Sequence, residues 1–195
     1  MKNSYRGSFG ASRWWGRLIF VICLSIAGGP AQAQSLADAV REIEAKNFAQ
    51  AAEWLLPLAN QGDTDAQYRL GLLAYHGQGM QEDEVMAVYW WKKAAQHGHA
   101  ESMYQLANAY LFGAQAGKFV ADPDREAALW YFQSASAGHL DAQYHLGLLF
   151  LAGKGVVESR KEAARWFRMA ADKGHGEAKK ALESVEPRPG KRSAR

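Results

Sequence analysis

The chain has 195 residues, of which 48% are hydrophobic and 22% charged, with a formal net charge of +3. Its single cysteine, Cys23, excludes an internal disulfide. Residues 1–33 hold four of the 23 basic residues and the last nine residues hold four more, which leaves 15 basic against 20 acidic residues between them. Because a nucleic-acid-binding domain needs a clustered basic face, this distribution argues against a nucleic-acid partner.

The amino terminus predicts a secretory signal peptide over residues 1–33. Four basic residues precede an apolar run at 18–27, and Ala31-Gln32-Ala33 provides the small residues of a cleavage site. The alternative is an uncleaved membrane anchor, but ten apolar residues make a helix of only about 15 Å, about half of a bilayer core. Cys23 lies inside the apolar run, a position that disfavours lipid attachment. We therefore expect cleavage after Ala33 and a periplasmic or secreted protein.

The first part of the mature chain, residues 34–64, predicts a truncated capping repeat. From Leu36, apolar residues recur at i, i+4 and i+7, which indicates an amphipathic helix. A second helix is predicted after Asn47, and its Trp54 is in register with Trp90 further along the chain. An irregular terminal unit of this kind is typical of a repeat array, where it covers the end of the stack.

Residues 65–184 contain three full copies of one pattern, followed by a shorter segment. Glycines mark the period, because Gly62, Gly98, Gly138 and Gly174 are separated by 36, 40 and 36 residues. A period in this range indicates a solenoid in which each unit is one helix-turn-helix motif. The predicted units are repeats 65–100, 101–140 and 141–176 and a capping helix at 177–184.

Each repeat predicts a helix A and a helix B. In helix A the core row contains Leu70, Leu106 or Leu146, each followed by a small residue that lets helix B approach closely. Helix B is expected to start after Asp83, Asp122 or Ser159, which are suitable N-cap residues, with a capping box formed by Ser159 and Glu162. We predict that the B-helix tryptophans carry much of the core: they are Trp90, Trp130 and Trp166. Four extra residues in the second repeat are expected to bulge from the surface.

The repeated pattern is similar to a known family. A-x-Y-x-L-G-x-x-(Y/F)-x-x-G-x-G, followed by A-x-x-W-(aromatic)-x-x-A-A-x-x-G-H, resembles the Sel-one-like repeat (SLR) family, a relative of the tetratricopeptide repeats, over about residues 47–182. The resemblance implies an all-α fold, a right-handed α/α superhelical solenoid that binds proteins or peptides, often in bacterial envelopes. One branch of the family is cysteine-rich and binds β-lactams; since this chain lacks those cysteines, that activity is not expected.

Analogy with tetratricopeptide stacks places the A helices on the concave side, where residues two before and two, five and six after the core leucine face a groove. The residues selected in this way are Tyr68, Leu72, Tyr75, His76, Tyr104, Asn108, Leu111, Phe112, Tyr144, Leu148, Leu151 and Ala152. Exposed apolar surface of that extent usually marks a binding site. The alternative for the three tyrosines is packing between repeats.

The histidines are the first candidates for chemistry. His99, His139 and His175 share one repeat position, about 10 Å apart by helix-packing distances, whereas zinc ligands lie about 2 Å from one centre. They are interpreted as loop residues of the repeat, and His76, His97 and His145 have no partner at ligand spacing. The serines lack the context of a hydrolase nucleophile. We therefore predict no metal, no cofactor and no catalytic residue.

These features favour an exported scaffold or adaptor that binds a peptide or helix of an envelope protein in its groove. The alternative from a different class is an enzyme, or a regulator of an enzyme, that acts on cell-wall components. A third interpretation is a membrane-associated adaptor, which is less favoured because the helices use their apolar residues in the core.

The last segment, residues 185–195, predicts a disordered basic tail. It contains two prolines and a glycine but no apolar run, so it cannot bury enough surface to offset the entropy of ordering. Its positive charges follow an acidic body, which suggests weak contact with an anionic envelope surface. The alternative is a solvated end without a role. The four positive residues are Arg188, Lys191, Arg192 and Arg195.

Overall fold

A computed structural model describes residues 35–186 of the chain. Within that range the chain forms helices and no strands, which confirms the all-α class. The signal peptide predicted at 1–33 and the basic residues from Arg188 onward lie outside the described residues. No helix between residues 35 and 186 combines the length and hydrophobicity needed to cross a membrane.

Ten helices follow one another along the described part of the chain, and most of them pair as helix-turn-helix units. The pairs are α1 with α2, α3 with α4, α5 with α7, and α8 with α9, while the short α6 lies within the third pair and α10 closes the stack. The bounds are α1 Leu36–Glu44, α2 Phe48–Asn60, α3 Thr64–Tyr75, α4 Glu84–Gln96, α5 Ala100–Phe112, α6 Ala116–Phe119, α7 Pro123–Ser136, α8 Leu140–Ala152, α9 Arg160–Ala171 and α10 Gly176–Val185.

Side-chain caps define where the B helices start. Asp83, Asp122 and Ser159 are the N-cap residues of α4, α7 and α9, and each side chain accepts a backbone N–H three residues on, as predicted. The expected capping box at Ser159 is only half formed, because its own N–H donates to the Phe150 carbonyl at 2.8 Å. That bond ties the start of α9 to the end of α8. The glycines that follow the B helices have positive φ values: +86° at Gly98, +97° at Gly138 and +94° at Gly174.

Small residues in the A helices let an aromatic ring lie directly on the helix. A Cβ atom added to Gly71 would lie 2.3 Å from the Trp91 ring, and one added to Gly147 would lie 2.4 Å from the Phe167 ring. No side chain fits at those distances. The close approach that the sequence predicts therefore occurs, and it brings an aromatic residue of helix B against the backbone of helix A.

The predicted core role of the tryptophans is confirmed for Trp90 and Trp166, which are 6% and 5% exposed, but each repeat buries the next aromatic residue more completely. Trp91, Tyr131 and Phe167, each one position later in helix B, are 1%, 0% and 0% exposed, whereas Trp130 is only half-buried. Successive residues differ by about 100° around a helix, so the later residue points into its own repeat. The tryptophan row turns toward the preceding repeat, where Trp166 contacts Phe132 at 5.7 Å between ring centroids.

The four extra residues of the second repeat do not form a simple bulge. They accompany the short helix α6, whose Phe119 packs against the central core together with Val120. The ring centroids of Phe119 and Tyr110 lie 6.3 Å apart. The insertion folds back because two of its residues are apolar and extend the core that α5 and α7 already share.

Each A-to-B turn rests on the start of the preceding B helix. The Gly155 turn, at φ +69°, meets α7 so closely that an added Cβ would lie 2.1 Å from the Asp124 carbonyl oxygen. The Gly79 turn, at φ +72°, approaches the backbone nitrogen of Ala49 at the start of α2, where the corresponding distance is 2.4 Å. Glycine is required at both turns by the positive φ and by the contact between neighbouring repeats.

Candidate functional site

The A helices present one recurring stripe of side chains, which we call the A-helix face. On α3 it contains Asp65, Tyr68, Leu72 and Tyr75, at i, i+3, i+7 and i+10, a spacing that puts side chains on the same side of a helix. The equivalent residues are Glu101, Tyr104, Asn108 and Leu111 on α5, and Asp141, Tyr144, Leu148 and Leu151 on α8. The next residue in each repeat, at i+11, completes the face: His76, Phe112 and Ala152.

The predicted groove residues divide into an exposed and a half-buried group. Tyr75, Phe112 and Leu148 are 42%, 68% and 36% exposed, and His76 and Ala152 are also exposed. The remaining predicted groove residues are half-buried and pack partly against the core: Tyr68, Leu72, Tyr104, Asn108, Leu111, Tyr144 and Leu151. The exposed apolar surface of the face is therefore concentrated at the carboxyl ends of the A helices and the middle of α8.

The three tyrosines of the face make contacts between repeats. The ring centroids lie 5.1 Å apart for Tyr68 and His99, and 4.5 Å apart for Tyr104 and His139. In the last repeat Tyr144 lies 5.0 Å from His175. Each tyrosine ring thus contacts the histidine that precedes the next A helix, and this contact joins neighbouring repeats.

Each of these histidines joins two repeats through both ring nitrogens. Nδ1 of His99, His139 and His175 accepts a backbone N–H at 3.1, 3.2 and 3.1 Å, so each histidine is the N-cap of an A helix. On the other side of each ring Nε2 meets a carboxylate of the preceding A helix. These pairs are His99 with Asp65 at 3.1 Å, His139 with Glu101 at 2.8 Å and His175 with Asp141 at 2.9 Å.

The capping bond decides where the histidine proton lies. A backbone N–H can only donate, so Nδ1 is the acceptor, and the neutral ring carries its proton on Nε2 and donates it to the carboxylate. Each histidine lies between two helices, as the interpretation of loop residues predicted, but that interpretation did not include these contacts. They are capping and bridging residues, a role that the sequence hides because the carboxylate partners lie 34 to 38 residues away.

The carboxylates form a row that the groove prediction missed. Asp65, Glu101 and Asp141 have side chains that are 58%, 39% and 58% exposed, and Glu177 on α10 continues the row with 67%. The hydrogen bond from His139 is the main cause that lowers the pKa of Glu101. The sequence does contain a signal for this row, because an acidic residue stands five positions before the core leucine in every A helix from α3 to α10.

The middle of the face contains a polar and aromatic cluster. The Tyr131 hydroxyl donates to Asn108 Oδ1 at 2.5 Å, and the Tyr131 ring stacks on His145 with centroids 5.4 Å apart. Burial raises the pKa of Tyr131 and of Tyr104, and it lowers the pKa of His145. At neutral pH these tyrosines keep their protons and His145 is uncharged, so the cluster offers neutral hydrogen-bond donors and acceptors.

Burial, helped by the Glu101 charge, raises the pKa of Tyr68 to about 12, so this hydroxyl also stays protonated.

Between residues 35 and 186, no group of three or more histidine, cysteine, aspartate or glutamate side chains is arranged to hold a metal ion. The chemistry of the face is thus that of a surface that contacts a ligand through apolar side chains, hydroxyls and carboxylates.

A stack of helix-turn-helix units with a side-chain stripe along one face is a helical-repeat solenoid, a class built for contact with other macromolecules. The Sel1 repeat matches residues 43–63, 64–99, 100–139 and 140–175, and the chain therefore belongs to the Sel1 repeat family. Sel1-repeat proteins are protein-interaction scaffolds and generally non-catalytic.

Known proteins of this kind are similar to parts of the chain. A Sel1 repeat protein from Oxalobacter formigenes is 28% identical, with a TM-score of 0.69 over 76% of this chain and 59% of that chain. Helicobacter pylori cysteine rich protein B is 23% identical, with a TM-score of 0.49 over 76% of this chain and 98% of that one. An Arabidopsis thaliana protein, the ERAD-associated E3 ubiquitin-protein ligase component HRD3A, is 37% identical over 57 residues, 29% of this chain and 8% of its own length.

Proposed function

We propose that this protein is an exported scaffold whose A-helix face forms a concave groove that holds a peptide or helix of an envelope protein. The observation that carries the proposal is the exposure of Tyr75, Phe112 and Leu148 along one stripe of three successive A helices. Large apolar side chains gathered in this way usually mark an interaction surface. Membership of a family of interaction scaffolds supports the same function.

Site-specific photo-crosslinking tests the groove. A photoreactive amino acid at Leu148 is expected to capture a discrete envelope protein in the native cell, because this position lies on the A-helix face. The matched control is the same amino acid at Leu129, which is also exposed but lies on the B helix α7. Adducts of the same identity and yield from both positions would show that the A-helix face is not the binding surface.

Two double variants sharpen the crosslinking result. Replacing Phe112 and Leu148 together by serine removes apolar surface from the face and should abolish the captured adduct. Leu129→Ser with Phe132→Ser removes similar exposed surface from α7 and should leave the adduct intact. The alternative of an enzyme acting on cell-wall components is separated by incubating the mature protein with peptidoglycan fragments and β-lactams, where turnover would favour the enzyme.

We also propose that export proceeds through cleavage after Ala33. The supporting feature is the order of a basic segment, an apolar run and a small-residue motif in the first 33 residues. Mass spectrometry of the protein from fractionated cells should find Gln34 at the amino terminus in the periplasm or the medium. A chain that retains Met1 and stays with the membrane fraction would overturn this part of the proposal.

The basic tail is proposed to hold the protein weakly at an anionic envelope surface. Basic residues near such a surface contribute about 1 kcal/mol each at low ionic strength. Deleting residues 188–195 should release the protein from anionic vesicles in co-sedimentation at low salt while its helix content stays unchanged. Equal sedimentation of the full and truncated chains would contradict the tail's role. The residues are Arg188, Lys191, Arg192 and Arg195.

A further inference from the structure

We infer that the outer side of the B helices docks on an anionic lipid membrane. The inference extends the role proposed for the basic tail, because it gives the folded part of the chain a surface for the same lipids. We call this surface the B-helix outer face. It lies opposite the buried side of each B helix, at positions i, i+4 and i+7. Its nine residues are Val85, Tyr89 and Lys92 on α4, Arg125, Leu129 and Phe132 on α7, and Lys161, Arg165 and Arg168 on α9.

The composition of this face differs from that of the rest of the fold. None of the nine residues is acidic, although acidic residues outnumber basic ones by 20 to 15 between residues 34 and 186. Five of the nine are basic, and the other four are aliphatic or aromatic side chains that are 49% to 51% exposed. The B helices therefore do not place all their apolar residues in the core, which was the reason to disfavour a membrane-associated adaptor. Exposed apolar and basic side chains on one face are typical of protein surfaces that lie in the interface of an anionic membrane.

The positive charge of the face is only partly balanced by neighbouring carboxylates. Three of its basic side chains pair with no acidic side chain in the described part of the chain: Lys92, Arg125 and Lys161. The other two make exposed ion pairs, Arg165 with Glu162 at 3.4 Å and Arg168 with Glu186. The face therefore has the sign of charge that attracts anionic lipids.

Aromatic rings join the apolar and basic parts of the face. The Phe132 ring on α7 lies 5.7 Å from the Trp166 ring on α9, and Cζ of Arg165 lies 5.7 Å from the same Trp166 centroid. Nζ of Lys93 lies 5.0 Å from the Tyr89 ring centroid at the edge of the face. Aromatic side chains beside cations suit the level of the lipid headgroups, where an apolar ring and a charge are both accommodated. The equivalent positions on α2 are Ala49, Glu53 and Leu56, so the face begins at α4.

The basic tail follows the fold at a point beside this face. Arg160, the first residue of α9, donates from Nε to the Val185 carbonyl at 2.9 Å and from Nη2 to the Ser184 carbonyl at 3.0 Å. These bonds hold the end of α10 against the start of α9, so residues 187–195 follow in sequence next to the basic side chains of α9. The positive charges of the tail and of the face are therefore available to one anionic surface.

Docking through the B-helix outer face leaves the A helices accessible. The A helices pack on the other side of the B helices, where the Trp91 ring lies on Gly71 and the Phe167 ring lies on Gly147. The exposed carboxylates of the A helices are repelled by an anionic membrane, whereas the B-helix outer face is attracted to it. The two charges together orient the A-helix face away from the lipid.

An environment-sensitive fluorophore on a single cysteine tests the inference on the full mature chain. A chain that starts at Gln34 has no cysteine of its own, so Leu129→Cys provides one labelled site on the face. The matched control is Leu148→Cys on the A-helix face. With vesicles that contain phosphatidylglycerol, we expect the emission of the label at position 129 to shift to shorter wavelength, because the label enters the lipid interface. The label at position 148 should not shift, and vesicles of phosphatidylcholine alone should shift neither.

A double variant measures the apolar contribution. Leu129→Ser with Phe132→Ser removes two apolar side chains from the face and should weaken co-sedimentation with phosphatidylglycerol vesicles about tenfold. Phe112→Ser with Leu148→Ser removes exposed apolar surface from the A-helix face and should change vesicle binding less than about twofold. Circular dichroism and thermal melts verify that both variants keep the fold.

A second double variant measures the charge contribution. Arg125→Gln with Lys161→Gln removes two positive charges without breaking an ion pair and should weaken vesicle binding about tenfold at low salt. The matched control, Lys46→Gln with Lys118→Gln, removes two exposed charges away from the face and should change the binding less than about twofold. Equal weakening by the two variants would show a general charge effect and overturn the role of the face.

The remaining outcomes separate this inference from the proposed role of the tail. A label at position 129 that does not shift while the protein co-sediments through residues 188–195 would overturn the face and leave the tail's role in place. A label that shifts equally with and without residues 188–195 would contradict the tail's role and leave the face in place. Binding to soluble polyglutamate as tight as binding to vesicles, and unchanged by Leu129→Ser with Phe132→Ser, would identify an acidic polymer as the partner and overturn the membrane.

Discussion

The first and third repeats differ from the second in how helix B meets helix A. In the first and third, Gly71 and Gly147 let the Trp91 and Phe167 rings lie on the A-helix backbone. The second repeat has Ala107 at that position, and its aromatic residue is Tyr131, which bonds to Asn108 on the A-helix face. The central ring of helix B therefore donates a hydrogen bond to helix A in the first two repeats, where Trp91 Nε1 donates to the Tyr68 carbonyl at 3.3 Å and Tyr131 donates its hydroxyl, whereas Phe167 makes apolar contact only.

The polar side chains that bond to buried carbonyls also differ between the second repeat and the other two. Gln67 Nε2 donates to the Ala59 carbonyl at 2.9 Å, and Gln143 Nε2 donates to the Ala135 carbonyl at 3.0 Å. The equivalent residue of the second repeat is the buried Met103, which cannot make that bond, and within this repeat Ser134 Oγ of α7 donates to the Ala100 carbonyl of α5 at 2.8 Å. The repeat thus fixes the helix positions, while the side chains that hydrogen-bond to buried backbone carbonyls differ from one repeat to the next.

The largest expected loss of stability comes from a substitution at the centre of the second repeat. Tyr131→Ala empties a position that is 0% exposed and should lower the free energy of unfolding by about 3 to 5 kcal/mol, because buried aromatic residues leave large cavities. The neighbouring Trp130→Ala should cost clearly less, since Trp130 is half-buried. Urea denaturation of both variants measures the difference, and equal losses would contradict the central role of Tyr131.

A smaller loss of stability is expected when the glycine of an A helix is replaced by alanine. In an ordinary helix Gly→Ala stabilises by up to about 1 kcal/mol, but Gly147→Ala places a Cβ 2.4 Å from the Phe167 ring and should destabilise by about 1 to 3 kcal/mol. Thermal melts of the variant give the sign directly. The control is Gly117→Ala in α6, where an added Cβ meets open space. A stabilised Gly147→Ala protein would show that helices α8 and α9 are not in close contact.

The smallest effect concerns the acid sensitivity that separates the third repeat from the second. Burial lowers the pKa of His145, so between that lowered value and the ordinary value of about 6.5 the folded chain binds fewer protons than the unfolded chain. Stability is therefore fully present above about pH 6.5 and falls as the pH falls through this window. The position equivalent to His145 in the second repeat is Gln105.

His145→Gln should weaken this part of the acid dependence, because the group that titrates in the window is removed. The urea midpoint of the wild-type chain should fall more than that of the variant as the pH is lowered from neutral to mildly acidic. Parallel curves for the wild-type chain and His145→Gln would mean that His145 does not titrate in this window.

Most of the fold could be read from contiguous residues. The spacing of Gly62, Gly98, Gly138 and Gly174 determined the repeat length, and the apolar rows determined two helices in each repeat. The N-caps at Asp83, Asp122 and Ser159 followed from local chemistry. These features are predictable because helix periodicity and capping depend on residues within about one turn of each other.

What the tertiary structure alone decided is which side chains meet across repeats. Trp130 and Tyr131 are adjacent aromatic residues, and the sequence did not decide which of them is buried. The placement of α5 shows that it is Tyr131. The bonds between the histidine Nε2 atoms and the carboxylate row join residues 34 to 38 positions apart, which come into contact only once the repeats stack. The physical reason is that a hydrogen bond between two repeats depends on how close the two helices lie. Local sequence determines each helix but not which helix packs beside it.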